Sequence, residues 1–102
     1  MMNIAIEKMT EEHIPHLAKL ERQCFSTPWS ENALSEEISN PLARFFVCVA
    51  EGQVCGYIGA HNVVGEVYIT NVAVSPSRRG QGFGAMLVGF LKEYSKAENA
   101  ET

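Results

Sequence analysis

Alternation opens the chain: between Asn3 and Met9, Ile4 and Ile6 interleave with Ala5 and Glu7, the period-two pattern of a half-buried strand. From Thr10 the period lengthens. Ile14, Leu17, Ala18, Cys24 and Phe25 recur near helical spacing behind Thr10 and two glutamates that suit a helix N-terminus. Pro15 must then lie in the first turn, where its missing N–H costs little. The segment Phe25-Ser26-Thr27-Pro28-Trp29-Ser30 breaks this helix. Ser30 is predicted to cap a short second one that carries Leu34 and Ile38 and stops at Asn40-Pro41.

Strand formers then dominate. Ala43 to Ala50, with Phe45, Phe46, Val47 and Val49, and Val54 to Asn62 flank Glu51-Gly52-Gln53, predicting an antiparallel hairpin. Gly65 closes a second turn into Glu66 to Val74, a strand apolar on both faces and so expected to be central or ligand-covered. Ser75-Pro76 ends it. Beyond a glycine-rich stretch, Phe83, Leu87, Phe90, Leu91 and Tyr94 mark one apolar stripe of a helix, read as core, that runs out in polar residues around Glu98. The order β-α-α-β-β-β-α describes an α/β chain of the α+β type with a mixed, mostly antiparallel sheet.

Composition narrows the classes. At 102 residues, 46% of them hydrophobic, the chain is expected to form one domain over residues 1–102. A net charge of −4 argues against binding nucleic acid, whose partners neutralise phosphate backbones. The longest apolar stretch, interrupted by Arg44, falls far short of the roughly 20 residues of a membrane helix, so no membrane association is expected. Neither a basic leader nor a cleavage site is seen at the N-terminus, and Cys24, Cys48 and Cys55 form an odd set on apolar segments; buried, reduced thiols and a cytoplasmic location are expected. His13 and His16 stand at i, i+3 without a third ligand, so no metal is expected.

The chemistry concentrates between Val72 and Ala85: a strand, a turn, Arg78 and Arg79, alternating glycines and a helix start. Free N–H groups and the dipole at a helix N-terminus favour a phosphate there. Glycines let the backbone approach it closely, and the arginines add positive charge that a neutral ligand would not require. Gly80-x-Gly82-x-x-Ala85 also fits a dinucleotide fingerprint. Against that reading, three strands joined by short turns precede the loop, and Glu98 and Glu101, the candidate ribose-binding acids, lie in a polar tail with no strand to carry them. No Gly-Lys-Ser/Thr appears for a Walker-type loop.

Arg79-x-x-Gly82-x-Gly84 after Val72-Ala73-Val74 resembles motif A of the GNAT N-acetyltransferases, which bind acetyl-CoA. Phe25-x-x-Pro28-Trp29-Ser30 and Tyr68-Ile69-Thr70-Asn71-Val72-Ala73-Val74 look most like the bacterial ribosomal-protein-alanine N-acetyltransferases (RimI). The resemblance covers almost the whole chain. It implies that main-chain groups of Val72, Ala73 and Val74 pair with the pantetheine arm. The pyrophosphate would lie on the amides of Gly80, Gln81, Gly82, Phe83, Gly84 and Ala85 beside Arg79, and the Val72 N–H would serve as oxyanion donor. The acceptor it implies is a primary amine, a protein N-terminus by preference and a ribosomal protein among the candidates. The loop at Trp29 would border the acceptor groove, although a Trp after a helix break is also a common core plug.

Acyl transfer needs a base for the amine, and Glu66 and Tyr68 are the candidates. Two apart on a strand, they are expected to share one face with Thr70, toward Val72. In RimI-like enzymes the catalytic glutamate and general-acid tyrosine lie on segments after the motif A helix. The chain halts where those would begin, so it reads as truncated after that helix. An open sheet edge and self-association into a homo-oligomer are expected from that. Two alternatives stay open: a CoA-binding remnant or self-associating binding module without chemistry, and half of a nucleotide-dependent oxidoreductase.

Overall fold

The computed structural model describes residues 3–100. Strand β1 (Ile4–Lys8) leads through a 3-10 turn at Glu11–His13 into helix α1 (Ile14–Cys24), and α2 (Glu31–Ile38) follows. Strands β2 (Ala43–Ala50), β3 (Gln53–Val63) and β4 (Glu66–Val74) come next, then a 3-10 turn at Pro76–Arg78 and helix α3 (Phe83–Ala100). The expected element order holds. Pro15 lies in the first turn of α1, and the Ser30 hydroxyl accepts the Ala33 N–H at 3.1 Å, capping α2.

The strands lie side by side in the order β1-β2-β3-β4, and every pairing among the described residues is antiparallel, so the parallel component of a mixed sheet is not among them. β4 is therefore an edge strand here rather than a central one. At the opposite edge, β1 is mostly exposed, with Ile6 alone partly buried, instead of half-buried.

Two cores sandwich the sheet. Against α1 and α2 pack Phe45, Val47, Tyr57 and Ala73 with Leu17, Leu20 and Leu34; against α3 pack Phe46, Cys48, Ile58 and Ala60 with Phe83, Leu87 and Leu91. Each fully buried side chain of this size contributes about 1.5–3 kcal/mol. Phe90 and Tyr94 close on Phe46 with ring centroids 4.9 and 4.8 Å away, although Tyr94 stays partly exposed. Glu98 is not in a tail: it accepts from Arg44 Nε at 3.0 Å and from Asn62 Nδ2 at 3.0 Å, which pins the last turns of α3 to the sheet. Glu101 lies outside the described residues.

Two β-bulges interrupt the ladders. Pairing steps from Cys48↔Gly56 to Val49↔Val54, which makes Cys55 the extra residue of β3. Its Sγ lies 3.1 Å from that of Cys48, whose thiol burial pushes up to about 12. Cys24, expected to be buried, is only half-buried. The second step runs from Gly59↔Asn71 to Ala60↔Ile69 and leaves Thr70 as the extra residue of β4. No helix among the described residues is long and apolar enough to cross a membrane, and no group of three His, Cys, Asp or Glu could hold a metal ion.

Candidate functional site

Between β4 and α3 the chain makes the strand-turn-helix connection anticipated from its glycines. Gly80 (φ +81°) and Gly82 (φ +84°) occupy the left-handed region, where a side chain would be strained, and the space a Cβ would enter at either is open. The main chain of Gly82 to Ala85 thus presents the N-terminus of an 18-residue helix without side-chain cover from the loop glycines. Phe83 is the exception to an open loop: its ring is 2% exposed and anchors the helix start in the α3 core. Arg79 lies beside the loop, its Nη2 3.4 Å from Cys24 Sγ.

The edge of β4 is chemically uneven. Ser75 N–H donates to the Cys55 carbonyl at 2.8 Å, so the alternation of an antiparallel ladder turns Ala73 toward β3 and Val72 and Val74 toward the open edge. Gly56 agrees, since a Cβ there would meet the Ala73 carbonyl at 2.8 Å. The Val74 carbonyl takes a hydrogen bond from Cys24 Sγ at 3.4 Å. The main-chain groups of Val72 and the Val74 N–H thus face the open edge while those of Ala73 face β3, whereas the resemblance implied ligand pairing by all three residues.

Glu66 and Tyr68 do share a face. Tyr68 donates to Glu66 Oε2 at 2.5 Å, and this carboxylate raises the phenol's pKa above its ordinary value. Neither is packed: Glu66 is exposed and Tyr68 is 54% exposed. Their relation to Val72 differs from the expectation. Because Thr70 bulges, the face that carries Tyr68 continues through Asn71 and Ala73, while Val72 and Val74 join Val67 on the α3 side. At about 3.3 Å per residue, Tyr68 stands roughly 13 Å and Glu66 roughly 20 Å along the strand from Val72.

A group that pattern reading passed over lies closer. Glu21, 1% exposed, accepts the Trp29 N–H at 2.9 Å through Oε1 and the Tyr57 hydroxyl at 2.7 Å through Oε2. Burial first, and then this carboxylate, push the Tyr57 pKa far up, whereas the Asn71 amide opposes them. Trp29 lies against the core on the α1 side of the sheet. Its ring packs 6.0 Å from Phe45, and it also borders a cavity of about 220 Å³ that reaches Glu21, Asn71 and Val72. The apolar stripe of α1 held the signal: Leu17, Ala18 and Cys24 leave a gap at the position of Glu21, one turn beyond Leu17.

Comparison with known proteins agrees with this layout. Residues 14–102 match the model of the acetyltransferase (GNAT) family. The chain is 33% identical over 97 residues to a putative [ribosomal protein bS18]-alanine N-acetyltransferase of Bacillus subtilis, covering 94% of this chain and 64% of that protein. To the [ribosomal protein bS18]-alanine N-acetyltransferase of Haemophilus influenzae it is 27% identical, over 84% of this chain and 58% of the relative. The crystal structure of the Escherichia coli ribosomal-protein-S18-alanine N-acetyltransferase superposes with a TM-score of 0.86 at 21% identity, covering 94% of this chain and 61% of that one. An N-acetyltransferase of Thermoplasma acidophilum in complex with coenzyme A gives 0.87 at 18% identity, over 95% and 74%. These last two establish the fold. The chain thus spans somewhat under two thirds of the ribosomal-protein acetyltransferases it matches, and by the family model and these likenesses it belongs to the GNAT acetyltransferase family.

Proposed function

We propose that the chain serves an acetyl-CoA-dependent N-acetyltransferase acting on a primary amine, with a protein N-terminal α-amine, as on a ribosomal protein, as the favoured acceptor. One observation carries the reading. The open glycine loop at the α3 N-terminus adjoins the outward main-chain groups of Val72 and Val74, so an anion site and a strand-like edge are contiguous. Coenzyme A needs both, a cradle for its diphosphate and hydrogen bonds for its pantetheine amides.

The diphosphate lies on the main chain of Gly80, Gln81, Gly82, Phe83, Gly84 and Ala85, with Arg79 as the adjacent guanidinium. The Val72 N–H is the donor for the oxyanion that forms when an amine attacks the thioester. Tyr68 holds its proton because Glu66 accepts from it, which suits an acid better than a base; the pair exchanges protons with the reacting centre through water. The acceptor specificity is supported by the likeness to the [ribosomal protein bS18]-alanine N-acetyltransferases of Bacillus subtilis, where the name is putative, and Haemophilus influenzae. A homo-oligomer formed through the β4 edge completes the reading.

Calorimetric titration with CoA and with NAD tests it. CoA is expected to bind and to raise the melting temperature, NAD to do neither. Gly82→Ala is expected to weaken CoA at least tenfold, since a residue with a Cβ loses the φ that opens the loop. Binding of NAD in place of CoA, or equal affinity in the glycine variant, would overturn the assignment.

A further inference from the structure

A carboxylate without a cation is buried beside the proposed acyl site. Glu21, 1% exposed, lies on the α1 side of the sheet at the wall of a cavity, and no ion pair to it exists among the described residues. Its two hydrogen bonds, from Trp29 N–H and Tyr57 O–H, use one lone pair on each oxygen and leave the others open. A buried charge so lightly compensated is costly unless a positive group reaches it.

Asn71 repeats the pattern. Tyr57 spends its single proton on Glu21, and the Asn71 amide acts on that phenol in the sense expected of a group facing it with its N–H side. That orientation leaves Asn71 Oδ1 free, and it is buried with no hydrogen-bond partner. Both acceptors belong to residues bordering the 220 Å³ cavity, whose walls also include Phe25, Trp29, Thr70 and Val72. Of the described residues lining it, Glu21 alone carries an acidic or basic side chain. Two underused acceptors, one of them anionic, call for a compact cation with several N–H donors in one place: a primary ammonium.

We propose that Glu21 is a catalytic residue, the counter-charge that receives the acceptor's ammonium and takes its first proton, with Asn71 Oδ1 as second acceptor. The inference rests on the acetyltransferase reading and adds the acid-base group that Glu66 is too distant to supply directly. The ammonium passes one proton to the Glu21 carboxylate, and the freed lone pair forms the C–N bond at the thioester carbonyl beside Val72. The C–S electron pair leaves with sulfur. The second proton of the nitrogen reaches that thiolate through water and Tyr68, and the proton on Glu21 escapes to solvent, so that amide, CoA thiol and one released proton balance the reaction.

Trp29, the single tryptophan of the chain, borders the same cavity and reports on it by fluorescence. The full chain, saturated with unacetylated CoA so that nothing turns over, is titrated with an alanyl tripeptide amide. A lactyl isostere, hydroxyl in place of ammonium, serves as the comparison. Wild type is expected to bind the alanyl peptide at least tenfold more tightly than the isostere, and Glu21→Gln to lose that preference while binding CoA unchanged. A Glu21→Gln variant that binds CoA and keeps the preference would overturn the role of Glu21. Equal affinity of wild type for the two peptides would also overturn it, and this holds even if the variant does not fold. Failure of wild type to bind CoA would instead overturn the acetyltransferase reading itself.

Discussion

Single residues decide how closely β3 and β4 approach. At Gly56, an added methyl would meet the Ala73 carbonyl at 2.8 Å and the Val74 Cα at 3.4 Å, both backbone atoms that no rotamer change can move. Over-packing at a site that cannot yield costs about 1–3 kcal/mol. Gly56→Ala is therefore expected to lower the unfolding free energy by that amount, read as a urea midpoint reduced by this loss divided by the slope, with the slope itself unchanged because compactness is preserved. A variant as stable as wild type would show that the ladder has slack there. Glu21 illustrates what such local reading misses. In the string Lys19-Leu20-Glu21-Arg22 it looks like one more solvated charge, and its burial depends on Tyr57, 36 residues away, which no short window includes.

Elements were legible where their signals are local. Ser30 caps α2 because a hydroxyl three residues before a free N–H is a nearby event, and both hairpins follow from Gly52 and Gly65. The bulges at Cys55 and Thr70 were not, since one extra residue leaves the composition of a strand intact and reveals itself only in the pairing. Hence the partial success at the candidate site: the loop from Arg79 to Ala85 lies where its glycines placed it, whereas the alignment of Glu66, Tyr68 and Thr70 with Val72 does not survive the bulge. The C-terminal half of α3 gives a further test. Arg44 engages both oxygens of Glu98, through Nε at 3.0 Å and Nη2 at 2.7 Å, and holds its pKa below the ordinary 4.5. A carboxyl depressed in the folded state contributes stability above its unfolded pKa and loses it as pH falls through the folded one. Glu98→Gln is expected to cost about 0.5–1 kcal/mol near neutral pH. That deficit should shrink as acid protonates the wild-type carboxyl, read by urea unfolding of both proteins across the acid range; a deficit independent of pH would assign the role to packing.

At the scale of the molecule the open side of β4 sets the behaviour. Beside it a groove of about 450 Å³ runs between β4 and α3, lined by Val67, Ile69, Val88 and Leu91, and Ile69 is 49% exposed. An unpaired edge next to exposed apolar side chains is a template for another strand, and a net charge of −4 is too small to forbid it. Light scattering at micromolar concentration is expected to show a dimer or larger species, and Ile69→Lys, which places a charge on that edge, a monomer. The same edge includes Val72 and Val74, where the pantetheine arm is proposed to pair, so a second copy and CoA compete for one row of main-chain groups. Mass action then requires each to weaken the other, and saturating CoA is expected to shift the scattering mass of wild type toward that of the monomer. An assembly whose mass is indifferent to CoA would place the contact elsewhere, along Val67 and Ile69 without Val72. A wild-type chain that is monomeric from the outset would mean that the groove is too shallow to hold a partner strand.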